Sequence, residues 1–193
     1  MILLVLTSIV GLAFIIERGL ALRWGRVIPA KLEFALDNCR TGGDLPRLRE
    51  ACSGQPSPLS RLVTVAHEHL RSPREENVDA IQTRARREVL QLERGLVVLE
   101  VVVGIAPLLG LVGTIHGLIT LFGDLGATGL ADNAVLAKGI AIALNTTLMG
   151  LLIAIPSLVA WSYYTKKVET LAVEMETLCD EFLRRQYRAS SQA

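Results

Sequence analysis

Three long stretches of the chain carry no Asp, Glu, Lys or Arg: residues 1–16, 101–123 and 139–165. The second and third reach the ~20 residues that an α-helix needs to cross ~30 Å of hydrocarbon. The first is shorter, but Glu17 and Arg18 at its end can extend their charged groups towards the headgroups. The pattern predicts three membrane-spanning helices.

A cleaved signal peptide is the competing interpretation of residues 1–16. No basic residue precedes this apolar run, and Glu17-Arg18 follows it in place of a small-residue cleavage site. The sequence therefore favours an uncleaved first span.

Outside the spans, apolar residues recur at intervals of three and four, the spacing of one helix face. From Arg74 this spacing predicts one long helix that runs into the second span. A helical tail follows the third span. The two series consist of Val78, Ile81, Ala85, Val89, Leu92, Leu96, Leu99 and Val103, and of Val168, Leu171, Met175, Leu178 and Phe182. We expect these faces to pack on each other or on neighbouring copies.

The polar segment after the first span contains clusters of Gly, Pro and Ser, which predict turns between short helices. The first helix should continue to about Arg26, and Pro29 should start or kink the next stretch. Further helices are predicted over 31–40, from an Asp44 N-cap to about 52, and over 59–70. Thr41-Gly42-Gly43, the turn 53–58 and Ser72-Pro73 should separate them.

The predicted fold is an all-α integral membrane protein with three transmembrane helices and long cytoplasmic helical extensions. We assign 1–18 to the first transmembrane helix, 19–94 to a cytoplasmic helical domain and 95–123 to the second transmembrane helix. A periplasmic loop (124–133), the third transmembrane helix (134–163) and a cytoplasmic tail (164–193) follow.

Basic residues set the predicted orientation. Of the 20 Lys and Arg residues, 14 lie between Arg18 and Arg94 and five lie from Lys166 onward. The connection 123–133 has Asp124 and Asp132 and no basic residue. The positive-inside rule then places the N-terminus in the periplasm and the C-terminus in the cytoplasm. The net charge of +1 gives no indication of a nucleic-acid partner. The basic clusters beside the spans indicate topology signals and contacts with the headgroups of a lipid bilayer.

Small residues form a face on each of the last two spans. On the second, Pro107 precedes Gly110, Gly113 and Gly117. On the third, the face consists of Gly139, Ala143, Thr147, Gly150 and Ala154, with Pro156 near the inner end. Because small residues let membrane helices approach closely, the faces predict tight packing against each other or around something else.

Two hydroxyls lie at matching depth on these faces, Thr114 and Thr147. Each could simply bond the carbonyl four residues earlier in its own helix. If the helices surround a passage, the hydroxyls would instead point into it, where they can donate to a carboxylate or accept from a protonated acid. Asn145 is expected to join helices. His116 is the only histidine in the stretches 101–123 and 139–165, which have no Asp, Glu, Lys or Arg, and Glu100 lies at the mouth of the second span.

No group of residues predicts catalysis or a metal site. Cys39, Cys52 and Cys179 are not in a CxxC spacing, and His67 and His69 do not complete a zinc set. We expect reduced cysteines, no cofactor, no metal and no enzymatic activity.

Two motifs carry a family resemblance. Residues 106–114 read Ala-Pro-Leu-Leu-Gly-Leu-Val-Gly-Thr, and 139–156 read Gly-Ile-Ala-x-Ala-Leu-x-Thr-Thr-x-x-Gly-Leu followed by Ala-Ile-Pro. At this separation they closely resemble the MotA/TolQ/ExbB proton-channel family, and the ExbB/TolQ branch in particular. Motif-level similarity covers about residues 92–157, and the topology resembles the family over the whole chain.

The resemblance implies five copies in a ring in the bacterial inner membrane. Their second and third spans would line a pore holding single helices of an ExbD/TolR-like partner, each with a proton-carrying Asp. Proton flow would drive movement that a TonB/TolA-like protein transmits to an energised transport or envelope process. Thr114 and Thr147, with Thr146 beside them, match the family's pore-lining positions.

The chain departs from some family members at two positions, with Ile142 in place of Glu and His116 in place of Trp. Conduction would then depend wholly on the partner's acid. A non-conducting membrane scaffold for a secretion, motility or envelope complex is the alternative, whereas a solute transporter lacks support because no inverted repeat or buried charge is present in the sequence.

Overall fold

The computed structural model describes residues 2–39, 44–128 and 133–191. Within these ranges the chain is α-helical and has no strand. The helices are α1 (Ile2–Ala21), α2 (Trp24–Val27), α3 (Ala30–Asn38), α4 (Leu45–Gly54), α5 (Pro58–Glu68), α6 (Arg74–Glu93), α7 (Leu96–Thr128) and α8 (Asn133–Ser191). Three of them, α1, α7 and α8, contain segments long and apolar enough to cross a membrane, which confirms the predicted number of spans.

The chain divides into two compact units. One comprises Met1–Arg18 with Gly95–Tyr163 and is called the membrane unit here. The other comprises Gly19–Arg94 with Tyr164–Ala193 and is called the core unit. The sides of the bilayer on which the predicted segments lie stay a prediction.

In the membrane unit α7 and α8 pack antiparallel through small residues. Ala106 lies against Gly150 at one end of the contact, and Leu121 lies against Gly139 at the other. Helix α1 joins them at Gly11, where an added Cβ would lie 3.3 Å from Ser157 Oγ and from Val102 Cγ1. Only 11%, 28% and 22% of the three apolar windows is buried within the chain, so large aliphatic faces remain outward.

The core unit encloses one hydrophobic core. Most of its largest buried side chains come from α3, α4, α5 and the second half of α8, and include Leu32, Leu36, Leu48, Leu59, Leu62, Leu171, Met175, Phe182 and Leu183. Every residue predicted for the face of the tail is buried: Val168, Leu171, Met175, Leu178 and Phe182. The 3.6-residue period therefore identified the buried face of this helix correctly.

Several short helices begin where their sequence predicts. Ser57 caps α5, because its hydroxyl accepts a hydrogen bond from the backbone of Ser60 at 3.1 Å and Ser60 Oγ accepts from Ser57 N at 2.8 Å. Pro29 and Pro73 directly precede α3 and α6. The predicted Thr41-Gly42-Gly43 stop lies outside the described residues.

The predicted continuation of the first helix to Arg26 is wrong. Helix α1 ends at Ala21, Arg23 is extended, and α2 forms a separate turn. Leu22, Val27 and Ile28 are all fully buried. At 100° per residue a single straight helix would point these three side chains in different directions, whereas the break lets each of them be buried.

The single helix predicted from Arg74 into the second span is also wrong, because Arg94 and Gly95 separate α6 from α7. Gly95 has no side chain, and an added Cβ would collide with the guanidinium end of Arg18. The Arg18 side chain thus packs over the Gly95 backbone, and glycine itself weakens a helix interior.

The predicted Asp44 N-cap is not formed. Asp44 precedes α4, but its own backbone is helical (φ −89°, ψ −11°) and its side chain makes no capping hydrogen bond. An N-cap residue needs extended backbone to turn its side chain towards the free N–H groups of the helix.

Candidate functional site

The glycines of the two spans bring the backbones of α7 and α8 into direct contact. An added Cβ at Gly150 would lie 2.6 Å from the carbonyl oxygen of Ala106, and one at Gly110 would lie 2.9 Å from that of Thr146. Gly110 and Gly150 also face each other, since the Gly150 Cβ position is 3.1 Å from Gly110 Cα. Of the two packing arrangements that the sequence left open, the small faces therefore pack against each other within one chain.

Thr114, Thr146 and Thr147 meet at this contact and form what we call the threonine cluster. The hydroxyls of Thr114 and Thr147 are hydrogen-bonded to each other, and Thr114 Oγ1 lies 3.3 Å from Thr146 Oγ1. Thr114 is 9% exposed, whereas Thr146 and Thr147 are half-buried. The cluster thus joins α7 to α8 at the level of the glycine contact.

Two backbone carbonyls complete the cluster. Thr114 Oγ1 lies 3.2 Å from the oxygen of Gly110, four residues earlier in its own helix, and 3.1 Å from that of Ala143 on α8. Thr146 donates to Ala143 O at 2.7 Å, and Thr147 Oγ1 is 3.3 Å from Gly110 O. The helix-internal bond that competed with a functional role is therefore present at Thr114, together with bonds across to α8.

The hydrogen-bonding capacity of the cluster allows several arrangements. Each hydroxyl has one hydrogen and two acceptor sites, and each helical carbonyl has one lone pair beyond its backbone bond. Thr114 and Thr147 can exchange donor and acceptor roles, because each has the other hydroxyl and Gly110 O within reach. A carboxyl group at this position could thus receive or donate a hydrogen bond without leaving a buried hydroxyl unpaired.

The remaining predicted packing residues lie along the same contact. The Cβ position of Gly113 is 2.8 Å from Thr146 Oγ1, that of Gly117 is 3.1 Å from Ala143 Cβ, and that of Gly139 is 2.5 Å from Leu121 Cδ1. Pro107 is half-buried within α7. Helix α8 continues through Pro156 without a break.

The predicted titratable residues are not part of the cluster. His116 is exposed on α7, although Thr114 two residues earlier is buried. Glu100 is also exposed, near the start of α7. Neither side chain is brought to the threonine hydroxyls within one chain.

Sequence reasoning missed a buried ion pair in the core unit. Glu88 is fully buried, accepts a hydrogen bond from Arg61 Nε at 2.9 Å and forms an ion pair with Arg84, whose Nη2 lies 2.8 Å from Glu88 Oε1. The carboxylate raises the pKa of the Arg61 guanidinium. The position of Glu88 in the sequence could have indicated its burial, because it lies three residues after Ala85 and four before Leu92, on the apolar face of α6.

The fold and the site together define a class: a multi-pass helical membrane protein whose last two spans are joined by a small-residue contact and a hydroxyl cluster. Residues 55–177 match the MotA/TolQ/ExbB proton channel family. The chain belongs to this family, and the resemblance to it is confirmed.

Curated relatives carry the names of two branches. The chain is 35% identical over 133 residues to a biopolymer transport ExbB homolog of Methanothermobacter thermautotrophicus, covering 69% of this chain and 47% of that one. It is 36% identical to the biopolymer transport protein ExbB of Helicobacter pylori over 43% of this chain and 57% of that one. It is 30% identical to the Tol-Pal system protein TolQ of Pseudomonas aeruginosa over 94% of this chain and 84% of that one.

The matches thus span about half the length of the first two relatives and most of the third. Together they place the chain near the ExbB and TolQ members of the family.

Proposed function

We propose that this chain is a subunit of a proton-driven motor or channel in a bacterial inner membrane. With an ExbD/TolR-like single-span partner it converts the proton-motive force into mechanical work. A TonB/TolA-like protein passes that work to an energised transport or envelope process. The chain itself has no enzymatic activity and needs no cofactor.

The observation that carries this proposal is the threonine cluster between two acid-free spans. Thr114 and Thr147 supply hydroxyls at mid-span, but the sequence has no Asp or Glu in residues 101–123 or 139–165. A proton pathway through such helices needs a titratable group from another chain. A partner helix with one central acid, as in the proposed assembly, provides it.

The energetics are consistent with such a cycle. An ionised carboxylate facing aliphatic helix surface carries a large desolvation penalty, which protonation removes. The hydroxyls of the cluster offer hydrogen bonds to the ionised form. Each proton that crosses 100 mV releases about 2.3 kcal/mol, enough to bias movement of the partner helix.

A ring of copies accounts for the outward faces of the spans. The glycine faces of α7 and α8 are occupied within one chain, whereas side chains such as Leu108, Val112 and Ile142 are at least 60% exposed. We infer that these aliphatic faces contact lipid, neighbouring copies and the partner, in a pentamer. The N-terminus lies in the periplasm, and the cytoplasmic extensions are formed by the core unit.

The test is proton flux after reconstitution into liposomes. The chain is purified alone and together with the single-span protein encoded beside it, and flux is measured under an imposed potential. We expect flux only from the pair. Flux from the chain alone at the same rate would exclude a pathway that depends on the partner's carboxylate.

One observation favours the alternative of a non-conducting scaffold. The Thr114 hydroxyl is 9% exposed and already bonded within the chain, so it could serve assembly only. In a scaffold, replacing this hydroxyl by an isosteric methyl group would leave every energised process unchanged. The proton-channel proposal expects the opposite.

A further inference from the structure

His116 on α7 and Asn145 on α8 are both exposed and have no hydrogen-bond partner among the residues that the structure describes. The exposed hydroxyl of Thr120 on α7 differs, since Thr120 Oγ1 donates to His116 O of its own helix at 3.0 Å. Hydrocarbon offers no hydrogen bonds, so an amide and an imidazole at this position need partners from another molecule.

The two side chains lie at the same depth. The bond between Thr114 and Thr147 fixes these residues at one level. His116 comes two residues after Thr114, and Asn145 comes two residues before Thr147. Because α7 and α8 are antiparallel, both positions are displaced by about 3 Å towards the same side of the cluster.

Neither side chain can reach the other within one chain. Two residues along a helix correspond to about 200° of rotation, so each side chain points away from the helix contact that its threonine occupies. The burial pattern agrees, since Thr114 is buried and Thr147 half-buried while His116 and Asn145 are exposed. The two groups therefore lie on separate outward surfaces of the α7–α8 pair.

The surface around Asn145 can receive a helix. It is a shallow groove of about 510 Å³ on α8, lined by Lys138, Ala141, Ile142, Leu144, Asn145 and Leu148. Its walls are mostly aliphatic, with the amide in the middle. An incoming membrane helix that fits this groove must present a hydrogen-bonding group at the depth of Asn145.

A second copy of this chain meets that requirement with His116. An amide has both donors and an acceptor, and a neutral imidazole has one of each, so the pair is complementary in either tautomer. When one patch of each copy binds a different patch of the next, the contacts close into a ring and every copy uses both groups. Pairing of identical groups would instead stop at dimers.

We propose that His116 of one copy is hydrogen-bonded to Asn145 of the adjacent copy, and that this contact joins the subunits of the ring. The proposal rests on the ring assembly in the proposed function and names the residues at its interface. It is independent of proton conduction, because neither side chain belongs to the threonine cluster.

Crosslinking in membranes tests this contact. In a chain with Cys39, Cys52 and Cys179 replaced by Ala, we would introduce His116→Cys together with Asn145→Cys and add a short thiol crosslinker. The matched control combines His116→Cys with Ile155→Cys, which is also exposed on α8 but lies about 15 Å further along the helix. The expected result is a ladder of covalent oligomers from the first pair and none from the control.

A second measurement compares ring assembly between variants that lack one of the two polar side chains. His116→Leu or Asn145→Leu should weaken ring assembly roughly three- to tenfold per interface, which corresponds to about 0.6–1.4 kcal/mol. The exchanged variant, His116→Asn with Asn145→His, should restore it. Restored assembly in the exchanged variant supports a direct hydrogen bond between the two residues. Assembly that stays weak in the exchanged variant contradicts it.

Other outcomes overturn the inference without touching the proposed function. Dimers from either single cysteine variant would indicate pairing of identical faces. Crosslinks to the single-span partner would assign these groups to the pore. Intact rings with normal proton flux and no crosslink from the first pair would leave the motor in place and remove this contact from it.

Discussion

The two units of this chain are both built from helices, yet the helices within each unit pack through different kinds of residue. In the core unit, large side chains such as Phe182, Leu171 and Leu62 are fully buried. In the membrane unit the contact between α7 and α8 consists of Gly110, Gly150 and their small neighbours, and the large aliphatic residues face outward.

The difference follows from the surroundings that each unit is suited to. In water, burial of apolar surface stabilises a fold by about 25 cal/mol per Å². Between lipid tails this term vanishes, and helices associate through close backbone approach and interhelical hydrogen bonds. The threonine cluster is therefore part of what joins α7 to α8, and it occupies the same place as the proposed proton pathway.

The largest expected effect comes from filling the glycine contact. Gly150→Leu should abolish stable folding of the membrane unit, because its Cβ would lie 2.6 Å from the Ala106 carbonyl and a backbone atom cannot move aside cheaply. Yield after detergent extraction and size-exclusion chromatography measure this. Gly104→Leu is the matched control, since nothing lies within 4 Å of its Cβ position. Equal yields of the two variants would contradict the packing argument.

The next largest effect is a difference in stability between the same substitution, Leu→Ala, made in each of the two units. Leu171→Ala removes a fully buried side chain from the core unit and should cost about 2–5 kcal/mol. Leu108→Ala removes a side chain that is 60% exposed in the membrane unit and should cost less than about 1 kcal/mol. Thermal unfolding in detergent, followed by circular dichroism, compares them. Similar losses would mean that Leu108 is packed as tightly as Leu171.

A smaller effect concerns thiol reactivity in the core unit. Burial raises the pKa of Cys179 to about 12 from an ordinary value of 9.0. Its thiolate fraction at pH 8 is thus about a thousandfold lower than for an unperturbed thiol, and alkylation should be slowed accordingly. The half-buried Cys52 should react first, and mass spectrometry after timed alkylation identifies the order.

The same shift gives a direction for stability against pH. The unfolded thiol ionises near pH 9, whereas the folded thiol of Cys179 stays neutral to about pH 12. The stabilising contribution is therefore complete below pH 9 and declines as the pH rises above it. Cys179→Ala should remove this decline in an unfolding series, and an unchanged decline would assign it to other groups.

The sequence predicted the spans because they depend on the length of uncharged stretches, and the small faces and the buried face of the tail because these depend on periodicity. It also identified Thr114 and Thr147 as residues at one depth. It did not predict that both hydroxyls bond each other within a single chain, since the small faces could equally have enclosed another molecule. Which face of α7 is turned towards α8 is determined by contacts between residues that are distant in sequence, such as Gly110 and Gly150.

The wrong predictions concern the ends of two helices and the burial of one charged side chain, all of which depend on tertiary contacts. The break at Gly95 reflects the Arg18 side chain, which comes from a helix that is remote in sequence. The break after Ala21 reflects the burial of Leu22, Val27 and Ile28. The burial of Glu88 against Arg61 and Arg84 was not predicted, although Glu88 lies on the apolar face of α6.

The most direct test of the account is proton flux through Thr114→Val, co-reconstituted with the single-span partner. Valine keeps the shape of threonine and removes the hydroxyl that joins the cluster. Thr120→Val is the control, because this hydroxyl is exposed in the same helix and bonds only its own backbone at His116 O. With assembly of both variants verified by native mass spectrometry, we expect flux to fall roughly tenfold or more in Thr114→Val, in line with the loss of an interaction worth about 1.4 kcal/mol or more. Unchanged flux in both variants would contradict a proton pathway at the threonine cluster.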